Sequence, residues 1–184
     1  MEKLIVRQGA RNEEILQLKK LTLNDIEKIM ALQEKVMHAI IHKETYASSS
    51  REEFEEIIKT FGCIMGYETL SGQLVALGAY SAYGYNEHNY GYDLGFEGEA
   101  LLLVGQIEST IVDPDYRGNG LQQKVCQALE DIAKLEKKAY ITATVSPVNP
   151  YSLNNFISLG YENKLEKLKY GGFRRYILCK QFHQ

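Results

Sequence analysis

Residues 110–122, Thr-Ile-Val-Asp-Pro-Asp-Tyr-Arg-Gly-Asn-Gly-Leu-Gln, constrain the fold more than any other stretch of the chain. A β-branched apolar run stops at Asp113-Pro114, passes through a glycine-containing turn, and gives way to a helical apolar spacing from Leu121 to Leu135. Strand, loop and helix therefore follow in direct succession. Arg117, Gly118, Asn119 and Gly120 fall where the helix starts, so unpaired backbone N–H groups and the positive end of the helix dipole converge beyond the strand's carboxyl end. Such a corner suits a phosphate held largely by backbone. It also suits a merely structural turn, and on the loop alone both readings stay open. The loop is neither G-x-x-x-x-G-K-[ST] nor G-x-G-x-x-G, since no third glycine and no lysine-serine pair follow Gly118 and Gly120. The nucleoside-triphosphate and dinucleotide readings fall back accordingly.

A chain of 184 residues is long enough for one sizeable core and short for two, so a single domain over 1–184 is expected. A net charge of −3 gives no general attraction to nucleic acid or to anionic membranes. Cys63, Cys126 and Cys179 are odd in number and widely spaced, without a C-x-x-C pair or a histidine cluster. Neither a disulfide framework nor a metal site is suggested. Residues 1–11 carry too short an apolar run for a signal peptide, and no stretch approaches the roughly 20 apolar residues of a membrane span. A cytoplasmic protein with reduced thiols is the expectation.

Taken in order, residues 4–7 read as a short extra edge strand ended by Gly9, within an N-terminal extension over 1–12, and residues 14–20 as the first central strand. Thr22 and Asp25 form a loose capping box ahead of a helix running to about Ala39. Ser48, Ser49 and Ser50 cap a second helix that buries Phe54, Ile57, Ile58 and Phe61 and stops at Gly62. Residues 63–68 and 73–83 read as a hairpin turned at residues 70–72. Residues 83–99 mix tyrosine and glycine with Asn86, His88, Asn89, Asp93, Glu97 and Glu99, and a loop this long is expected on the substrate side. Residues 100–112 read as the central strand, in which Gly105 marks either a bulge or a close approach to the backbone. The helix over residues 121–137 and the strand over 139–145 then complete a right-handed unit whose two strands run parallel. Residues 149–159 read as a helix, and residues 161–167 and 173–181 as a closing antiparallel pair around Gly171-Gly172.

Two motifs carry a family resemblance. Arg117-x-x-Gly120 resembles the [RQ]-x-x-G-x-[GA] pyrophosphate loop of the GNAT superfamily of acyl-CoA-dependent N-acyltransferases, with Gln122 where the family usually has Gly or Ala. Asn149, Ser152, Gly160 and Tyr161 match the family's N-x-x-[AS]-x-x-x-Y-x-x-x-G-[FY] helix, with Phe156 in the tyrosine's place. The resemblance covers roughly residues 14–181. It implies an α/β (α+β) fold with a mixed, mostly antiparallel central sheet, a splayed parallel pair of strands and flanking helices. It further implies acetyl-CoA as cofactor, with CoA as product. The pantetheine arm would lie along Thr110, Ile111 and Val112, and the diphosphate on Arg117, Gly118, Asn119, Gly120, Leu121 and Gln122. Asn149, Ser152 and Phe156 would complete the cofactor site.

Acetyl transfer to an amine requires the neutral amine, whereas a free alkylamine such as lysine, with a pKa of ~10.4, is mostly protonated at neutral pH. Glu108 lies close to where the family often has a glutamate acting as base, directly or through water, and strand alternation predicts that it shares a face with Gln106 and Thr110. A structural carboxylate is the equal alternative, and His88 and Glu99 are reserves. A backbone N–H of the splayed strand, near Ile111 or Val112, would hold the tetrahedral oxyanion. Phe156 lacks the hydroxyl that commonly assists the departing thiolate in this family, so the thiolate, a tolerable leaving group, would depart unaided, or Ser152, Tyr151 or Tyr116 would substitute; a Phe156 that is simply core is the plain alternative. Asp93, Glu97 and Glu99 with several tyrosines suit a cationic amine. The expected activity is an N-acetyltransferase acting on a small-molecule primary amine by direct attack in a ternary complex, as a monomer or homodimer without nucleic-acid or membrane partners. The alternative is a non-catalytic acyl-CoA-binding sensor or partner domain.

Overall fold

The computed structural model describes residues 3–8 and 12–182, and Gly9 lies outside them. The strands are β1 (Lys3–Gln8), β2 (Asn12–Leu21), β3 (Gly62–Thr69), β4 (Leu74–Ser81), β5 (Val104–Val112), β6 (Tyr140–Val145), β7 (Glu162–Lys169) and β8 (Phe173–Gln181). The helices are α1 (Ile26–His38), α2 (Arg51–Glu56), α3 (Leu121–Leu135) and α4 (Pro150–Ser158). The strands make one eight-stranded sheet in the order β1-β2-β3-β4-β5-β6-β8-β7, in which β5 and β6 are the parallel pair and the other neighbours are antiparallel. The expected mixed sheet with flanking helices is present, and β1 is the extra edge strand.

Two apolar layers fix which helix lies on which face. On one, α3 sets Leu121, Val125 and Leu129 against Tyr80, Ile107 and Leu178. On the other, α1 sets Ile29, Leu32 and Val36 against Ile64, Leu77 and Ile111. These side chains are fully or almost fully buried, and each contributes roughly 1.5–3 kcal/mol by leaving water. Helix α3 sits directly on β4 because Gly78 has no side chain: a Cβ there would stand 2.4 Å from Val125 Cγ1. Both expected capping boxes close, Thr22 with Asp25 and Ser50 with Glu53.

One boundary differs from the sequence reading. Residues 98–103 form a 3-10 turn rather than the start of the central strand, with Leu101 buried and Leu102 and Leu103 exposed. Gly105 is the site of close approach rather than the bulge, since the Tyr80 ring lies 2.7 Å from where its Cβ would be.

Gly78→Ala forces Val125 and Leu129 away from the sheet at a cost of about 1–3 kcal/mol. Thermal denaturation is expected to show a fall in Tm of about 2–4 °C per kcal/mol. An unchanged Tm would mean that α3 does not rest on β4 as described.

Candidate active site

The site is organised by an irregularity in β5. Gly78 pairs with Thr110 and Tyr80 with Ile107, so β5 uses one residue more than β4 over the same span. The extra residue falls at Glu108-Ser109, a bulge that interrupts strand alternation. Ile107 packs with the α3 layer and Ile111 with the α1 layer, although regular alternation would put both on one face. The expectation that Gln106, Glu108 and Thr110 share a face is thereby corrected. Gln106 and Glu108 meet, Nε2 donating to Oε1 at 2.5 Å, whereas the Thr110 hydroxyl accepts from Gln122 Nε2 of α3 at 3.0 Å. Parallel pairing between β5 and β6 runs from Val104–Tyr140 to Ile107–Ala143 and stops at the bulge. Beyond it the two strands leave a wedge.

A cavity of about 490 Å³ opens beside the bulge. Its walls come from the segment before α2 (Tyr46, Ser49), from β5 and β6 (Gln106, Glu108, Thr144), from the loop after β4 (Tyr83, His88, Tyr90), and from the β7–β8 turn and β8 (Tyr170, Arg175). Buried Gln33 holds the first wall, accepting from the Tyr46 hydroxyl at 2.8 Å and the Ser49 N–H at 2.9 Å. The long loop is pinned rather than loose. Buried Asn89 donates to the carbonyls of Gly84 and Leu101, and Gln106 accepts from the Tyr90 N–H at 2.9 Å while donating to the His88 carbonyl.

Glu108 is partly buried, and burial raises its pKa above the ordinary glutamate value, against hydrogen bonds from Gln106, Tyr90 and Tyr83 that favour the carboxylate. Tyr90 donates to Glu108 at 3.2 Å, and its hydroxyl also meets that of Tyr170, which lies 2.8 Å from Thr144 Oγ1. Burial raises both phenols, Tyr170 to about 12, so both keep their protons at neutral pH. A hydrogen-bonded chain thus joins Glu108 on the β5 side to Thr144 on β6. Sequence reasoning missed Tyr90, Tyr170 and Arg175, because strand pairing rather than local pattern brings them there. The two reserves fare differently: His88 is exposed on the cavity wall, whereas Glu99, like the amine-binding candidate Glu97, is exposed and does not line it. Asp93 is held by Lys167 at 2.5 Å and by Lys169, so it is not free to receive a cationic amine as expected.

At the start of α3 the backbone does what the glycine loop suggests. Gly118 and Gly120 take left-handed conformations with φ of 82° and 68°. The Gly120 N-cap has no side-chain cap, unlike Thr22, Ser50 and Asn149 at their own helices. The first helical hydrogen bond is Lys124 N–H to Gly120 O at 3.1 Å, so the amides of Leu121, Gln122 and Gln123 have no acceptor within the helix. Approach to this corner is fixed from both sides. Lys35 of α1 pairs with Asp113 at 2.7 Å and Asp115 at 2.8 Å, and the buried Tyr116 donates to Glu14 at 2.5 Å. Arg117 is exposed, and Asn119 donates to the Tyr116 carbonyl.

Gln122 departs from the small residue of the motif with structural effect. Its Nε2 donates to Thr110 and, at 2.8 Å, to Ser152 Oγ, while Asn155 donates to its Oε1 at 2.6 Å. One side chain therefore ties β5 to α4. Asn149 caps α4 by accepting the Ser152 N–H at 3.1 Å, and both residues line the cavity. Phe156 is buried in the core, edge-on to Tyr161 at 5.0 Å, and does not line the cavity. Of the hydroxyls considered in its stead, Tyr151 is 84% exposed and Tyr116 is committed to Glu14, which leaves Ser152 at the cavity. Among the described residues no group of three or more His, Cys, Asp or Glu side chains could hold a metal ion, and no helix is long and apolar enough to cross a membrane.

The same fold occurs in solved acetyltransferases. Ribosomal-protein-alanine N-acetyltransferase from Brucella melitensis is 16% identical with a TM-score of 0.67, covering 90% of this chain and 99% of that one. YncA from Salmonella typhimurium, solved with its cofactor acetyl-CoA, is 15% identical with a TM-score of 0.66, covering 92% and 95%. A provisionally named phosphinothricin N-acetyltransferase is 15% identical with a TM-score of 0.68, covering 92% and 99%. At these identities the likeness is one of fold, and no curated protein sequence matches the chain. With residues 34–161, more than half of its length, matching the family model described as Acetyltransferase (GNAT) family, the chain belongs to the GNAT family of acetyltransferases, whose acyl donor is acetyl-CoA.

Proposed function

We propose that the protein is an N-acetyltransferase acting on a primary amine of a small molecule, by direct attack in a ternary complex, with Glu108 taking the amine's proton. The observation that carries this reading is the position of Glu108, beside the bulge and facing a cavity at the mouth of the β5–β6 wedge. A carboxyl made more basic by burial is a better proton acceptor than a solvated one. The cavity volume falls in the usual range for small ligands, about 300–1,000 Å³.

The residues present fit the donor. Acetyl-CoA, when bound, supplies an acyl group activated as a thioester. The uncapped amides of Leu121, Gln122 and Gln123, with Gly118 and Gly120 leaving the approach clear of side chains, suit its diphosphate. The backbone of Ser109, Thr110, Ile111 and Val112, past the last parallel partner, suits the amides of its pantetheine. Thr144, Ser146, Ser152 and Tyr170 are hydroxyls that line the cavity on the α4 and β6 side, and through Tyr90 the last of them connects to Glu108. A proton taken at Glu108 therefore has a hydrogen-bonded route across the wedge. Phe156 favours one second reading, an acyl-CoA-binding module without turnover, because it brings no hydroxyl to the position where the family has one.

Thiol release from acetyl-CoA against an amine panel and a peptide library tests the proposal. Turnover of small amines is expected; turnover of peptides alone contradicts the substrate class, and a CoA-induced rise in Tm without turnover favours the second reading.

Glu108→Gln is expected to lower kcat about 10²-fold or more while leaving CoA affinity unchanged. Because burial raises the Glu108 pKa, the active carboxylate form is lost as pH falls through a value above the solvated glutamate's roughly 4.3. The wild-type rate should show that acidic limb and the variant should lack it. A limb that persists in Glu108→Gln assigns the proton to another group.

Gln122→Ala removes three hydrogen bonds, each contributing about 0.5–1.5 kcal/mol, and should lower Tm. Since the backbone amides remain, calorimetry should find CoA bound at least as tightly as by the wild type. Loss of CoA binding would show that the side chain itself holds the cofactor.

A further inference from the structure

Arg175 of β8 is a buried cation without a counter-ion. It is 3% exposed and lines the cavity, and among the described residues no carboxylate lies within ion-pair distance of it. One terminal nitrogen donates to the Arg174 carbonyl at 2.8 Å, whereas the other is buried and has no hydrogen-bond partner. The rings of Tyr170 and Phe173, at 5.6 and 5.3 Å, offset part of its desolvation through their faces but accept no fork of hydrogen bonds. Glu44 is the acidic side chain whose field reaches it, from an exposed position on a separate turn. A guanidinium withdrawn from water with donors unused is costly, and such sites are completed by a planar anion.

The surrounding charges agree. Lys167 and Lys169 stand beside Arg175 on the cavity wall formed by β7 and β8, and both draw on the single carboxylate of Asp93. That wall carries three cations, two of which share one carboxylate supplied from the long loop. The wall formed by α2, the long loop and the bulge carries Glu53, Glu56, Glu87 and Glu108. The cavity is therefore bipolar. Resting on the acetyl-transfer reading above, we propose that the acceptor is an amine that also bears a carboxylate, with its amine toward Glu108 and its carboxylate on Arg175. The Tyr90–Tyr170 pair lies between the two groups and joins them. Arg175 is accordingly a specificity determinant, and Glu108 remains the proton acceptor.

Matched acceptors that differ only in a carboxylate or a primary carboxamide, amino acids and their amides, test this on the full chain. The wild type is expected to favour the acid at least tenfold in kcat/KM. Arg175→Met, which keeps the length of the side chain between the two rings, should raise KM for the acid about tenfold or more with kcat little changed, leave the amide unaffected, and abolish the preference. Arg175→Lys should restore part of it. Equal use of acid and amide by the wild type, or an equal loss for both in Arg175→Met, overturns the proposal. Calorimetric titration of the wild type with N-acetylated amino acids and their amides reads the same site without catalysis, and decides the matter even where Arg175→Met does not fold. Preferential binding of the acid with no turnover of any amine supports the Arg175 site and removes acetyl transfer. Turnover of amines without preference for the acid removes the Arg175 site alone.

Discussion

One extra residue in β5 does two things at once. It ends the hydrogen-bonded ladder to β6 at Ile107–Ala143, and it brings Ser109 to the same α1 and α2 side of the sheet as Glu108. A regular strand in this position would zip against β6 and send Ser109 to the opposite face, because successive residues of a strand alternate sides. The opening for an acyl donor therefore forms directly beside the carboxylate. The layers on either side hold the bulge in place, with Ile107 locked under α3 and Ile111 under α1.

The start of α3 depends on the same rigidity. Amides left without acceptors at a helix N-terminus bind an anion well only if they do not have to be ordered first. Lys35 with Asp113, and Tyr116 with Glu14, fix the path between β5 and α3 before any ligand arrives. Gln122 adds a bridge from β5 to α4, so the two sides of the wedge are coupled by one side chain. The β7–β8 turn closes the far wall through Tyr170, a non-glycine residue at φ 53° whose hydroxyl reaches both Tyr90 and Thr144. That backbone conformation costs energy, which the hydrogen bonds of the hydroxyl help to offset.

Much of the architecture was legible in the chain itself. Periodicity, caps and glycine stops located all four helices, and the order of elements around residues 110–122 identified the parallel pair. The bulge was not legible, since it carries no glycine and side-chain alternation continues through it in the sequence; Gly105 was instead shaped by the Tyr80 ring. The apolar run of Leu101, Leu102 and Leu103 reads equally as strand or as turn, and only burial separates them. Ser152 was visible through the second motif and Glu108 through its place on the central strand, whereas Arg175 sits in a closing strand that no motif covers. Its isolation from carboxylates is a property of three-dimensional neighbours. Asp93 misled for the matching reason, because its lysine partners lie over 70 residues away in sequence.

The central claim is that a wedge opened by the bulge, and the amides at the head of α3, receive coenzyme A. Backbone ¹H–¹⁵N resonances followed during titration with CoA test it most directly. The largest shifts are expected at residues 109–112 of β5 and at 118–123, with smaller ones along β6. Saturable binding that moves resonances elsewhere and leaves both of those segments unperturbed would contradict the account.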